Sequence, residues 1–266
     1  MSHLREMSSP QPAWRRRPAH AVQQSFKRAW SFGAGEWVRE AGDRLGGPSS
    51  SGRSLKIIVY GASGMAGSRI IAEALSRGHE VTAVSLDGSN PDMPGLTVVA
   101  ADATDVETVA ALAAGHDVAV SAMAPPRDGS DPIKPFLALN KHLVAGLAKA
   151  GVPRLVTIGG AGTLQVEPGL ELVDQPGFPA AFKGEALAHR EVLAFYRTVG
   201  DLDWTCISPA VEFGPGERIG GYRTALDDLI ADADGDSRIS AEDYAIAVLD
   251  EIENPAHSRE RFAVAY

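Results

Sequence analysis

From residue 55 onward, short apolar runs rich in β-branched residues alternate with longer stretches whose apolar positions recur every three or four residues. The short runs are "LKIIVY" (55–60), "EVTAVS" (80–85), "LTVVAA" (96–101), "DVAVSA" (117–122), "RLVTIG" (154–159) and "WTCISP" (204–209), and helical periodicity covers 65–77, 105–114, 133–150 and 183–199. Apolar runs of this length predict strands buried on both faces. Strand and helix in repetition then predict a parallel sheet with helices on both faces, a doubly wound α/β fold. Local punctuation agrees. The 65–77 stretch carries Ile70, Ile71, Ala74 and Leu75 on one side and stops at Gly78, while Gly151 and Pro153 separate the 133–150 helix from the next strand.

Composition narrows the class only modestly. With 266 residues, 44% hydrophobic and 22% charged, the chain suits a soluble globular protein in which residues 55–266 form one domain. No run approaches the roughly 18 consecutive apolar residues of a membrane span. Cys206 is the single cysteine and lies in an apolar stretch, so no intramolecular disulfide forms and a cytoplasmic protein is expected. Charge is more telling: residues 1–53 hold nine Lys/Arg against four acids, so the net −9 divides into a leader of +5 and a body of −14. An acidic body argues against nucleic-acid binding by the core. The basic leader, residues 1–54, lacks a long apolar face and runs out through "GGPSSSGRS", which points to disorder. Its Trp14, Trp30 and Trp37 speak for some order, and its basic character leaves open contact with membrane, nucleic acid or an unknown partner, or a targeting role.

Chemistry enters at "LKIIVYGASGMAGSRIIAEAL", where a strand ends in Gly61 and Gly64 and Gly67 follow before a helix. Gly61 permits a sharp turn, Gly64 lets backbone approach a pyrophosphate, and Gly67 lets helix and strand pack closely. The helix start then offers N–H groups to phosphates. The spacing is G-x-x-G-x-x-G, with Ser63 where the general dinucleotide fingerprint has its second glycine, and the Gly-Lys-Ser/Thr of an NTPase loop is missing. A Rossmann-type NAD(P) site is expected, held by the loop at Gly61, Ser63, Gly64, Met65 and Gly67.

These residues resemble the short-chain dehydrogenase/reductase superfamily, particularly its atypical members. "YGASGMAG" is similar to that superfamily's cofactor loop and "RGHEVTAV" to its second strand. The resemblance implies that Asp102 and Ala103 of "AADATD" meet the adenine, and that Ser121, Ala122 and Met123 of "VSAMAPP" lie beside the nicotinamide ribose. "VTIGGAGTL", "LDWTCISPAVEFGPGERIGGYR" and "SRISAEDYAIAVLDEIENPAHSRERF" look more narrowly like the NADH-flavin reductase family of NAD(P)-binding proteins. That likeness spans residues 55–266. It implies that Pro209 brings backbone to the nicotinamide and that the glycine-rich continuation to 224 either covers the substrate as a mobile flap or is a surface loop.

The end of the second strand selects between a ribose hydroxyl and a 2′-phosphate. Relatives choosing NADP often carry arginine about where Leu86 stands. Asp87 could accept from the hydroxyl and repel a phosphate, which leans toward NAD; it could equally serve the Asp-Gly turn, and Arg69 or Arg77 could reach a phosphate.

Ordinary members of the superfamily reduce carbonyls with a Tyr-x-x-x-Lys pair. The matching stretch, "FPAAFKGEALAHREVLAFYR", contains no such pair, and Gly159 and Gly160 stand near the usual serine. Hydride transfer to a flavin needs mainly stacking, orientation and exclusion of side reactions. The expected function is therefore an NAD(P)H-dependent reductase of a flavin-like or quinone-like acceptor; the alternative is a non-catalytic NAD(P)-binding sensor acting through a protein partner. An epimerase or dehydratase is disfavoured by the same missing pair. Thr163, Lys183 and His189 are the candidates for orienting the acceptor, against a reading of Thr163 as a loop hydrogen-bonder and of Lys183 and His189 as solvated helix residues.

"DADGDSRISAED" (232–243) nearly spells a calcium loop, but its sixth position is Ser237 and its twelfth is Asp243. The simpler reading is a capping box of Ser240 with Asp243 before "YAIAVLDEI", and no metal site is expected.

Overall fold

The computed structural model describes residues 53–89 and 93–266, so the leader before Arg53 lies outside the described residues. Strand β1 (Lys56–Tyr60) shows why a nearly continuous apolar run was needed: Ile57, Ile58, Val59 and Tyr60 are all fully buried. It is hydrogen-bonded on both edges, to β2 (Glu80–Ser85) and to β4 (Val118–Ser121), and covered on both faces. Ile57 and Val59 face one apolar cluster, Ile58 and Tyr60 the other.

The first cluster is closed by α1 (Met65–Ser76) and α5 (Ala241–Glu253), which pack against each other. The second is closed by α2 (Val106–Ala113), α3 (Ile133–Ala150) and α4 (Ala180–Tyr196). Here Trp204 and Tyr196 stack with ring centroids 5.7 Å apart, the aromatic anchor of that layer.

The sheet has eight strands in the order β10-β12-β8-β5-β4-β1-β2-β3. Besides those named, these are β3 (Leu96–Ala100), β5 (Arg154–Ile158), β8 (Asp203–Ser208), β10 (Arg223–Ala225) and β12 (Glu260–Ala265). All pairings are parallel except β10 with β12. The expected doubly wound Rossmann-type fold is thus present, and its strand order reverses between β1 and β4. Two small ribbons, β6 (Gln165–Glu167) with β7 (Leu170–Glu171) and β9 (Glu212–Gly214) with β11 (Arg238–Ser240), lie outside the main sheet.

The six expected strands and four expected helices form, with ends shifted by up to three residues. Asp105 caps α2 by accepting from the Thr108 N–H at 2.8 Å, and Ser240 caps α5 by accepting from the Asp243 N–H at 3.0 Å; the return half of the expected box does not form, because the Ser240 N–H donates to the Tyr266 hydroxyl. Gly151 closes α3 in the left-handed region at φ 72°. Strand β12 was not anticipated, although "RFAVAY" is apolar; Phe262 to Ala265 are buried between β8 and β10, the covering that such a run requires.

Candidate functional site

At the reversal point between β1 and β4, the carboxyl end of the sheet opens the crevice where ligands of open α/β sheets bind. Gly61 turns the chain there at φ +78°, and the Gly61 and Ala62 N–H groups both reach the Val84 carbonyl at 3.1 Å. A Cβ on Gly61 would lie 2.6 Å from the Ala122 carbonyl oxygen, so the loop is pressed against the end of β4. Gly67 is as confined: its added Cβ would lie 2.3 Å from the Gly61 oxygen. Gly64 differs. Its backbone is ordinary at φ −70°, it is exposed, and its Cβ would meet only the Gly61 oxygen at 3.2 Å.

Gly64 is the N-cap of α1, with no capping side chain and no acid in the first turn; α2 and α5 each have both. The first N–H groups of a helix have no intrahelical acceptor. Beside exposed Ser63 and half-buried Met65, they face outward with a partial positive charge and no carboxylate to neutralise it. The chain therefore fits a pyrophosphate here.

The remaining expected cofactor residues fall along the same edge. Ser121 pairs in register with Tyr60 of β1 and Thr157 of β5, so Ala122 and Met123 project between those strands' ends. Pro209 is buried one residue beyond β8. Asp87 is exposed after β2, and hydrogen bonds from the Ser89 N–H and hydroxyl to its carboxylate lower its pKa. Asp102 is exposed after β3, accepting from the Thr104 N–H at 3.0 Å, beside buried Ala103. A cavity of ≈ 540 Å³ lined by Lys56, Glu80 and His116 lies at the opposite, amino end of the strands, away from this edge.

Several expectations are corrected. Arg69 pairs with Glu242, and Arg77, at the far end of α1, is held by Glu73, Asp250 and Glu253, so neither arginine is poised for a phosphate. Of the two readings of the glycine-rich continuation to 224, a mobile flap over the substrate or a surface loop, the structure shows a surface loop tied down on the helices. Asp243, fully buried at the start of α5, accepts from the N–H groups of Ile219 and Gly220, Glu242 accepts from that of Gly216, and Arg218 pairs with Glu73; together they strap the loop across α1 and α5. Asp243, the twelfth residue of the calcium-like stretch, is thus engaged in this strap, while Asp232 accepts from the Asp234 and Asp236 N–H groups.

Of the acceptor-orienting candidates, Thr163 is buried, donates to the Gly160 carbonyl and accepts from Arg261 at 3.1 Å. Lys183 is exposed near the start of α4. His189 departs from the solvated reading: it is 9% exposed, packed between Gly160 and the edge of Phe136, because α4 turns that face onto the sheet. Burial lowers its pKa to about 4, opposed by Glu185 and assisted by Arg127, so the imidazole is neutral at pH 7. Cys206 is buried, and its thiol is pushed up to about 12, which leaves it inert.

Sequence reasoning did not see that every tyrosine hydroxyl is already engaged. The five tyrosines of the chain are Tyr60, Tyr196, Tyr222, Tyr244 and Tyr266. They donate to the Val109 carbonyl, Asn140, Asp250, the Ile207 carbonyl and Asp243, respectively. Tyr196 in particular is fully buried on α4, its hydroxyl 2.7 Å from Asn140 and its pKa raised by burial.

Known proteins share this fold. A Burkholderia pseudomallei protein, provisionally described as exported, is 50% identical over 80% of this chain and 100% of its own, with a TM-score of 0.73. A Bacteroides thetaiotaomicron protein, provisionally described as an epimerase, is 37% identical over 80% and 98%, with a TM-score of 0.75. A Streptococcus pneumoniae protein, provisionally described as an NADH-flavin reductase, is 34% identical over 80% and 99%, with a TM-score of 0.68. Among the described residues no helix is long and apolar enough to cross a membrane. Residues 61–255 match the NAD(P)H-binding family, and the chain, with its Rossmann-type fold, belongs to it.

Proposed function

We propose that the protein is an NAD(P)H-dependent reductase that passes hydride to a flavin-like or quinone-like acceptor without a Tyr-x-x-x-Lys pair. The observation that carries this reading is the commitment of all five tyrosine hydroxyls elsewhere, beside a glycine cradle suited to a dinucleotide. Bound NAD(P)H supplies the hydride. The first turn of α1 holds the pyrophosphate, Asp102 stands where the adenine ends, and the backbone of Ala122, Met123 and Pro209 positions the nicotinamide face. A carbonyl substrate would need a side-chain acid as it is reduced, whereas a conjugated ring spreads the incoming charge and takes its proton from water. The provisional description of the Streptococcus pneumoniae protein points the same way. Asp87, exposed and ionised, favours NADH over NADPH by repelling a 2′-phosphate. A cytoplasmic setting suits a small-molecule reductase whose single thiol is buried.

Stopped-flow absorbance at the NADH band, with FMN, FAD, riboflavin and menadione offered in turn, tests the reading. Oxidation of bound NADH by at least one acceptor is expected. Tight NADH binding with no oxidation across the panel would instead favour a non-catalytic sensor, a reading the missing acid also fits.

A further inference from the structure

Toward the amino ends of β8 and β12, at the opposite end of these strands from the cofactor edge, lies a cavity of ≈ 160 Å³ walled by Trp204 and Leu226 and lined by Arg197, Arg259 and Arg261. It meets solvent along Leu226, which is 55% exposed. Three guanidiniums gathered in so acidic a body call for a reason. The carboxylate among them is that of Asp227, whose Oδ1 is shared by Arg197 Nη2 at 3.3 Å and Arg261 Nε at 2.8 Å. Arg259 has a neutral partner, the Gly200 carbonyl, which accepts from its Nη1 at 2.9 Å. Glu260 also borders the cavity, but its side chain belongs to the other face of β12, because it pairs in register with Thr205 while Arg261 pairs with Cys206. Three cations thus converge on one carboxylate, an excess of two positive charges.

The backbone gives a second, independent sign. Among the described residues, Arg259 is the only non-glycine residue at positive φ, 55°. Glycine takes this left-handed conformation freely, and an L side chain takes it at a cost. The Arg259 N–H donates to the Trp204 carbonyl at 2.7 Å, which ties the kink to β8 beside the cavity. Backbone strain of this kind collects at ligand sites, and here it delivers a cation where glycine would be easier. Arg261 is fixed in another way: its side chain is 2% exposed, and its Nη1 donates to the Thr163 carbonyl and hydroxyl at 3.2 and 3.1 Å. A guanidinium already held in place loses little freedom when a ligand arrives.

Size and charge describe the ligand. Drug-sized ligands fill roughly 300–1,000 Å³, so this cavity is too small for a flavin or a dinucleotide and suits one small group. Guanidinium forks match tetrahedral oxyanions, and a phosphate group carries about −1.5 to −2 at pH 7, which balances the excess. We propose that Arg197, Arg259 and Arg261 form a phosphate site remote from the cofactor loop, taking free phosphate or the terminal group of a small phosphomonoester.

Calorimetric titration of the full chain with inorganic phosphate tests the site, with NAD+ in excess so that the first turn of α1 is not available to the probe. One phosphate is expected to bind per chain, to bind more weakly as sodium chloride is raised, and to lift the thermal midpoint. Glycine suits the backbone at position 259 and the Arg197 side chain is 55% exposed, so the double variant Arg197→Gln/Arg259→Gly keeps the fold. In it the phosphate dissociation constant rises at least tenfold, and the lift in midpoint disappears. Glycerol 3-phosphate binding more tightly than phosphate would identify an ester as the occupant, and weaker binding would identify the free ion; either result supports the site. No phosphate bound by the original protein, equal affinity in the double variant, or acetate bound as tightly as phosphate would overturn it. Should the double variant fail to fold, Arg259→Gly alone decides by the same affinities.

Discussion

Gly67 rests directly on Gly61: a Cβ on Gly67 would stand 2.3 Å from the Gly61 carbonyl oxygen, so the first turn of α1 is seated on the turn that leaves β1. Nothing larger than hydrogen fits without moving the loop. Gly67→Ala is therefore expected to raise the NADH dissociation constant at least tenfold, about 1.4 kcal/mol, in a fluorescence titration. Gly64 supplies the contrast. Its backbone suits any residue and its Cβ has room with a small adjustment, so Gly64→Ala is expected to leave the thermal midpoint within a few degrees while still weakening NADH. Unchanged affinity in Gly64→Ala would refute a close approach of backbone to the pyrophosphate.

Asp87 decides cofactor choice by charge. Its carboxylate, held ionised by Ser89, stands exposed at the end of β2. Asp87→Ser removes the repulsion of a 2′-phosphate, and the ratio of NADPH to NADH affinity is expected to rise roughly tenfold at low salt and less at high salt. A ratio indifferent to the substitution would reduce Asp87 to a turn residue.

Thr163 belongs to the scaffold. Arg261, 5% exposed, binds its hydroxyl and carbonyl through Nη1 and reaches Asp227 through Nε at 2.8 Å. Thr163→Val is expected to cost about 1–3 kcal/mol in urea unfolding, because a buried donor loses one acceptor. Turnover per folded molecule should hold within twofold. A tenfold loss of rate at unchanged stability would move Thr163 into the chemistry.

Burial of His189 makes stability depend on pH. Its pKa falls from 6.5 to about 4 on burial, with Glu185 and Arg127 the charges acting on it. Between those values the unfolded chain binds a proton that the folded chain does not, so stability rises with pH through this window. It is complete above pH 6.5 and is lost by up to about 3 kcal/mol as pH falls toward 4. His189→Phe should flatten that part of the urea-unfolding profile. An identical slope in both proteins would show that the imidazole is not held neutral by the fold.

How much of this was legible differs from element to element. Strands β1, β4 and β5 were plain because a strand buried on both faces needs an unbroken apolar run. The "SRISAED" cap of α5 was plain because capping is local. Strand β12 was missed, since "RFAVAY" becomes a strand only once β8 and β10 flank it. For the 212–224 stretch the sequence does not choose between a flap and a surface loop, because the carboxylates that strap it down come from α1 and α5, outside the stretch itself. His189 read as a surface residue for the same reason: helical periodicity tells which residues share a face, not which face meets the sheet.

By itself the sequence determined the strand–helix alternation, the glycine loop and the lack of a Tyr-x-x-x-Lys pair, because each depends on residues close together in the chain. Tertiary structure alone decided that Gly61 abuts Ala122, that all five tyrosine hydroxyls are spent on other partners, and that His189 is buried against Gly160. Those are contacts between segments tens of residues apart. Burial and hydrogen-bond satisfaction are properties of the packed layers, and no local pattern carries them.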